Sequence, residues 1–294
     1  VITKNTFNGN AALGQAGISL QLANSDSISS FGTVTVGGSG NENSFNTNVK
    51  QYIHLNNEIT STSGDPVWYA TYISPKGKVK VNIDARDNNY DVGAGLQLPT
   101  AMNLTNLFLL EDKNQHKIDD GGLGFVLVKA NNDYVTVNSF VAPTITTPSV
   151  QRGIDAASAG FTVNVGPGNF TEQLEINKAL TLDGQGSGIT NIISPNTLTL
   201  SFTTSGVNKP VIYVHDASDV AITDLTVDGN GKGNANNRFQ GIAYRNAGGR
   251  VDSCEIKAIR NTPIDGVQAG IGIFALADDG NTRTLDITGN NIYD

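Results

Sequence analysis

The chain has one cysteine, one methionine and one tryptophan in 294 residues. A single cysteine excludes an internal disulfide and a cysteine-built zinc site. Charge is scarce, at 16% Asp, Glu, Lys and Arg, where an ordinary soluble domain has about 25%. What charge there is leans acidic: 19 Lys+Arg stand against 27 Asp+Glu, a net charge of −8. Basic clusters are missing, so no nucleic-acid partner is expected. No apolar run approaches the ~18 residues of a membrane-spanning helix, and neither a signal peptide nor an anchor is visible. The three histidines, His54, His116 and His215, have no spacing that pairs them, and each reads as structural or exposed.

Glycine and asparagine are plentiful instead, at 33 and 34 residues. That composition is poor for helix bundles and suits many short strands joined by Asn/Gly turns. Little Cys, Lys and Arg beside much Asn, Thr and Gly fits a protein of the bacterial cell surface or extracellular space.

Three stretches separate on pattern. Residues 1–92 hold short alternating strands, residues 93–148 differ, and residues 149–294 return to short strands. In the middle stretch Leu104, Leu107, Phe108, Glu111, Gln115 and Ile118 share one helical face, with Gly121 and Gly122 beyond it. This predicts a helix over about 103–119, then strands at Leu123–Val128 and Tyr134–Val137. The segment reads as a cap on an open sheet edge, or alternatively as a docking element. At the start of the last stretch, Val150, Ile154 and Ala157 follow Ser149 at helical spacing and Gly160 stops the run. A short amphipathic helix is expected there.

A six-residue pattern recurs: apolar, two variable residues, Asn or a small apolar residue, one variable residue, apolar. It centres on Leu225 in Ile222–Val227, on Cys254 in Val251–Ile256, on Asn290 in Ile287–Ile292 and on Asn5 in Ile2–Phe7. It returns loosely around Asn88 and partly around Asn57. Steps of 29 residues from Leu225 to Cys254, 36 from Cys254 to Asn290 and 31 from Asn57 to Asn88 suit a solenoid with variable loops. An Asn at each bend donates to and accepts from its equivalent one coil away, which satisfies a buried polar column.

The run from Ser149 through Gly153-Ile154-Asp155-Ala156-Ala157 and Gly166-Pro167-Gly168-Asn169-Phe170-Thr171-Glu172 resembles the opening of the pectate-lyase-like superfamily. So does Leu174-Glu175-Ile176 leading to Leu182-Asp183-Gly184-Gln185-Gly186. The resemblance implies an all-β fold, the right-handed parallel β-helix, with a helix capping its first coil. It also implies an asparagine ladder at Asn5, Asn57, Asn88, Leu225, Cys254 and Asn290. It covers residues 149–294 well and 1–92 moderately, while 93–148 resembles inter-repeat segments of large bacterial surface proteins.

Because such a solenoid opens near residue 149, residues 149–294 read as the N-terminal half of a β-helix and residues 1–92 as a C-terminal half. Ladder patterns then stand at both ends, as Ile2, Asn5 and Phe7 and as Ile287, Asn290 and Ile292. The end coils are expected to stack head to tail, as repeats of one longer chain or as separate protomers. Joined directly, Asn290 and Asn5 would stand nine positions apart, too few for a coil of ~20 residues or more.

Enzymes of this fold need convergent carboxylates. Asp278-Asp279 and Asp119-Asp120 lie in turn sequences, and the family's galacturonidase motifs are missing. The run Asp228-Gly229-Asn230-Gly231-Lys232-Gly233 begins like a calcium loop. Lys232 occupies a ligand position in it, however, and Phe239 stands where a bidentate Glu is needed. Asp84, Asp87 and Asp91 leave Ca²⁺ as the one ion to weigh; no other cofactor is expected. Gly184-Gln185-Gly186-Ser187-Gly188 precedes a strand-like run, so it reads as an inter-coil turn and not a nucleotide loop. Trp68, Tyr69 and Tyr72 form the one aromatic cluster, suited to stacking on sugar rings if exposed, or to packing in a coil. These features together predict a non-enzymatic structural module of an extracellular filament or giant surface adhesin, partnered by copies of itself. The alternative is a carbohydrate-active or carbohydrate-binding β-helix with a polysaccharide partner.

Overall fold

The computed structural model describes residues 1–9, 16–20, 34–55, 78–142, 144–266 and 270–294. These residues are mostly β, with two α-helices, Leu104–Glu111 and Val150–Ala156. The strands of each sheet run parallel; the hairpin that sets Phe202–Thr203 against Val207–Asn208 is antiparallel and lies off the main path. Two compact units are present, one of residues Val1–Tyr134 with Asn138–Thr147, the other of Val135–Val137 with Pro148–Asp294.

In the second unit the chain visits three sheets in rotation. Thr162–Val165, Gly168–Thr171 and Leu174–Ile176 enter one sheet each, and later strands return to the same sheets in the same order. Each strand is short because a corner follows within a few residues. Several corners use a left-handed residue: Asp224, Ser253 and Gly289, at φ 54, 55 and 64°, each sit directly before Leu225, Cys254 and Asn290. Asp and Ser tolerate that region better than branched residues, and Gly has no Cβ to clash.

Parallel register stacks like positions into columns. Val163, Leu182, Ile222, Val251 and Ile287 align in one, the first pair to the last through successive strands. Phe170, Ile192, Val227, Ile256 and Ile292 align in a second. Alternation sends these side chains inward, and every member but the last of each column is buried. A Cβ on Gly249 would stand 1.9 Å from the Val220 carbonyl oxygen, so only glycine lets these two strands approach. The helix Val150–Ala156 is fixed at its start by Ser149, whose hydroxyl accepts from Arg152 N–H, and by Glu172, which accepts from the N–H groups of Val150 and Gln151.

The first unit repeats the parallel logic with an aromatic column. Thr6–Phe7, Ser44–Phe45 and Asn89–Tyr90 pair in register, and the rings of Phe7, Phe45 and Tyr90 stack at 4.6 and 5.1 Å. Ala16–Leu20, Gln51–Leu55 and Asn114–Gln115 form a second parallel sheet. The helix expected over 103–119 spans Leu104–Glu111 only. Asn114 turns back to donate to the Leu110 carbonyl, and its strand pairs with Ile53–His54; tertiary strand pairing wins over helical periodicity there. The strands expected at Leu123–Val128 and Tyr134–Val137 appear as Val126–Leu127 and Asn132–Val135.

Candidate functional site

The last row of strands in the second unit is its most unusual surface. Down the two inward columns exposure stays at 0–1% and then rises to 50% at Ile287 and at Ile292. These side chains point where an inner layer belongs, with nothing among the described residues stacked beyond them. Tyr293 is 46% exposed beside them. A polar bond system runs to the same row. Asn290 Oδ1 accepts from Cys254 N–H at 2.9 Å, and its Nδ2 donates to the Val251 carbonyl. No acceptor for the Asn290 backbone N–H is found among the described residues.

The first unit carries the same bond pattern further. Asn5 N–H and Nδ2 donate to Asn43 Oδ1, and Asn43 N–H and Nδ2 donate to Asn88 Oδ1. In both units, therefore, a backbone N–H is served by the amide oxygen of a residue later in the chain. Asn43 and Asn88 are fully buried while Asn5 is exposed, and Asn5 Oδ1 receives no donor among the described residues. Asn43 fits the six-residue sequence pattern only at Phe45: Gly40 stands where the first apolar residue belongs, and Val36, which pairs with Ile2, lies seven residues before it. Leu225 is buried without a polar group, and burial raises the Cys254 thiol to about 11. Asn57 lies outside the described residues, as do Trp68, Tyr69 and Tyr72.

Of the carboxylates singled out from sequence, Asp119 joins a buried group with Glu111 and His116, and six others are held by partners of their own. Asp278 is held by Arg245 and Asn246, and Asp279 by Arg283 and Asn281; these partners hold both carboxyls below the usual range. Asp84 pairs with Arg86, whereas Asp91 accepts from Gly93 and Gly95 in its own loop. Asp228 caps the turn at Asn230, and Asp120 pairs with Lys78 at 2.7 Å.

Among the described residues, Glu111, His116 and Asp119 form the one group with metal-ligating spacing. All three are buried. Their hydrogen bonds argue for a structural knot. Val126 N–H donates to His116 Nδ1 at 3.0 Å, so the ring proton sits on Nε2, facing Glu111 Oε1 at 2.6 Å. A metal on Nε2 would move that proton to Nδ1, where it would meet the Val126 N–H. Asp119 Oδ2 accepts from His116 N–H. Burial keeps His116 neutral, its pKa down to about 4, and pushes Glu111 well above the ordinary carboxylate range.

One further cluster lies on the outer face of the second unit's third sheet. Glu175, Tyr213, Ala243 and Phe274 align across it. Phe202 stacks on Tyr213 at 5.3 Å and meets Phe274 at 5.7 Å. His215 stacks on Tyr213 and binds Glu175 and Asp216, each at 2.9 Å. Sequence reasoning passed over this cluster because the hairpin that brings in Phe202 has no separate signal.

No protein-family model matches the chain, and no solved structure matches it. A cell surface glycoprotein of Methanothermus fervidus is similar to part of it, 34% identical over 89 residues. That stretch covers 26% of this chain and 15% of the length of the relative. Among the described residues, no helix is long and apolar enough to cross a membrane.

Proposed function

We propose that this chain is a right-handed parallel β-helix module of a cell-surface protein, structural and non-enzymatic, which associates head to tail with further copies of itself. The observation that carries this reading is the abrupt exposure of Ile287 and Ile292 at the end of otherwise buried columns. An open row of that kind templates another layer. The layer it fits has the pattern of Ile2, Asn5 and Phe7. Asn5 Oδ1 would accept the unserved Asn290 N–H, and Ile2 and Phe7 would cover the isoleucines. The rotation through three parallel sheets and the local similarity to a cell surface glycoprotein support the same reading. A heterologous contact that does not close on itself generates a linear array. Negative-stain microscopy of the purified chain tests it: strings with an axial repeat of one chain are expected, and isolated particles at every concentration contradict it.

A second reading, a carbohydrate-binding β-helix, would rest on half-buried Phe274 with Glu175, His215 and Arg245 nearby, since Phe202 and Tyr213 are buried and leave little ring surface for a sugar. It predicts heat on titration with acidic polysaccharides that Phe274→Ala removes; release of reducing or unsaturated ends would make the module an enzyme.

A further inference from the structure

Of the chain's 34 asparagines, two open an Asn-X-Thr triplet: Asn103-Leu104-Thr105 and Asn169-Phe170-Thr171. The triplet is the acceptor sequence for N-linked sugar, and the structure separates these two side chains from the asparagines that build the interior. Several asparagines of the interior and of the ladder spend their amide nitrogen on main-chain carbonyls. Asn88 Nδ2 donates to Val36 and Ala85, Asn43 Nδ2 to Ile2, Asn114 Nδ2 to Leu110 and Asn290 Nδ2 to Val251. Asn103 and Asn169 are exposed and arranged the other way. Asn103 caps the helix Leu104–Glu111 through its oxygen, which accepts from Asn106 N–H at 2.8 Å. Asn169 Oδ1 accepts from Asn191 Nδ2 at 2.9 Å. In each case Nδ2 has no partner among the described residues, so a substituent there breaks no hydrogen bond of the fold. Thr105 and Thr171 are exposed as well.

Apolar side chains stand open beside both positions. Leu98, which begins the turn Pro99–Ala101 leading into Asn103, is 38% exposed. Gly168, next to Asn169, lies against Val137 and donates its N–H to the Ile189 carbonyl; those two side chains are 41% and 49% exposed. A bulky hydrated substituent at Asn103 and Asn169 would shield them.

We propose that Asn103 and Asn169 are modified by N-linked glycans. The donor class is an oligosaccharide carried through its C1 on a lipid phosphate. Nδ2 attacks C1, the C1–O bond to the phosphate breaks, the lipid phosphate leaves with the electron pair, and Nδ2 releases one proton as the C1–Nδ2 bond forms. This rests on the surface location proposed above. The test is peptide mass mapping of the full chain recovered from the surface of its native cells. The tryptic peptides Asp87–Lys113 and Gly153–Lys178 are expected to carry glycan mass. Thr105→Ala removes it from the first alone and Thr171→Ala from the second alone, with each asparagine and its hydrogen bond intact. Unmodified peptides from surface-exposed protein overturn the proposal and leave the surface reading standing. A chain found only inside the cell overturns both.

Discussion

At the scale of single residues, His116 carries the most constrained chemistry. Its ring accepts from Val126 and donates to Glu111 within a dry interior, so protonating it forces two N–H groups together. Its folded pKa of about 4 lies below the ordinary 6.5. The stability it contributes is therefore complete above 6.5 and lost as pH falls toward 4. Glu111 has the opposite sign. Its folded pKa is raised, so its contribution is complete below 4.5 and lost as pH rises through the folded value. Between 4.5 and 6.5 the two oppose each other. Glu111→Gln removes the second effect and keeps an oxygen for the Nε2–H. Its melting temperature should climb from pH 4 to 6.5 more steeply than that of the parent, and should exceed the parent at pH 8. A thermal shift of the same size at every pH would contradict this. None of it was legible in sequence. Five residues separate Glu111 from His116, off any helical spacing, and the two meet because the helix stops at Glu111 and the chain turns back.

At the scale of elements, caps and ladders decide where the short strands and helices end. The Val150–Ala156 helix was legible because Ser149, the apolar spacing and Gly160 are local signals. Glu172, which closes its N-terminus from 22 residues away along the chain, was not. Glu172→Ala leaves two helix N–H groups and the Ser149 hydroxyl without their acceptor and should cost about 2 kcal/mol in urea unfolding; Ser149→Ala alone should cost about 1 kcal/mol. The ladder gives a sharper contrast. Asn88→Asp keeps the acceptor for Asn43 but turns a carboxylate toward the Val36 and Ala85 carbonyls. A loss of about 3 kcal/mol is expected. Asn5→Asp, at an exposed position, should cost under about 1 kcal/mol. Equal losses at the two positions would remove the ladder from the account. Asn5, Asn88 and Asn290 were visible as a repeated pattern. Asn43 was not, since Gly40 fills the first position of its pattern and only the parallel register brings in Val36 instead.

At the scale of the whole molecule, parallel β organisation was readable from the recurring six-residue pattern and the Asn/Gly corners. Where the middle helix ended was not, because strand pairing with Ile53–His54 overrides its apolar periodicity. If copies stack head to tail, Ile287 and Ile292 are interface residues, not core residues, and changing them should spare the fold. With both half exposed, Ile287→Lys with Ile292→Lys should leave the melting temperature of a dilute sample within a few degrees of the parent. Covering the two side chains would contribute roughly 1 to 2 kcal/mol of apolar burial in each contact. Sedimentation velocity across a hundredfold range of concentration is the most direct measurement. The parent chain should show a sedimentation coefficient that rises with concentration and falls back on dilution, while the double lysine variant stays at the monomer value throughout. A parent that stays monomeric over the whole range, or a variant that associates as the parent does, would contradict the head-to-tail account.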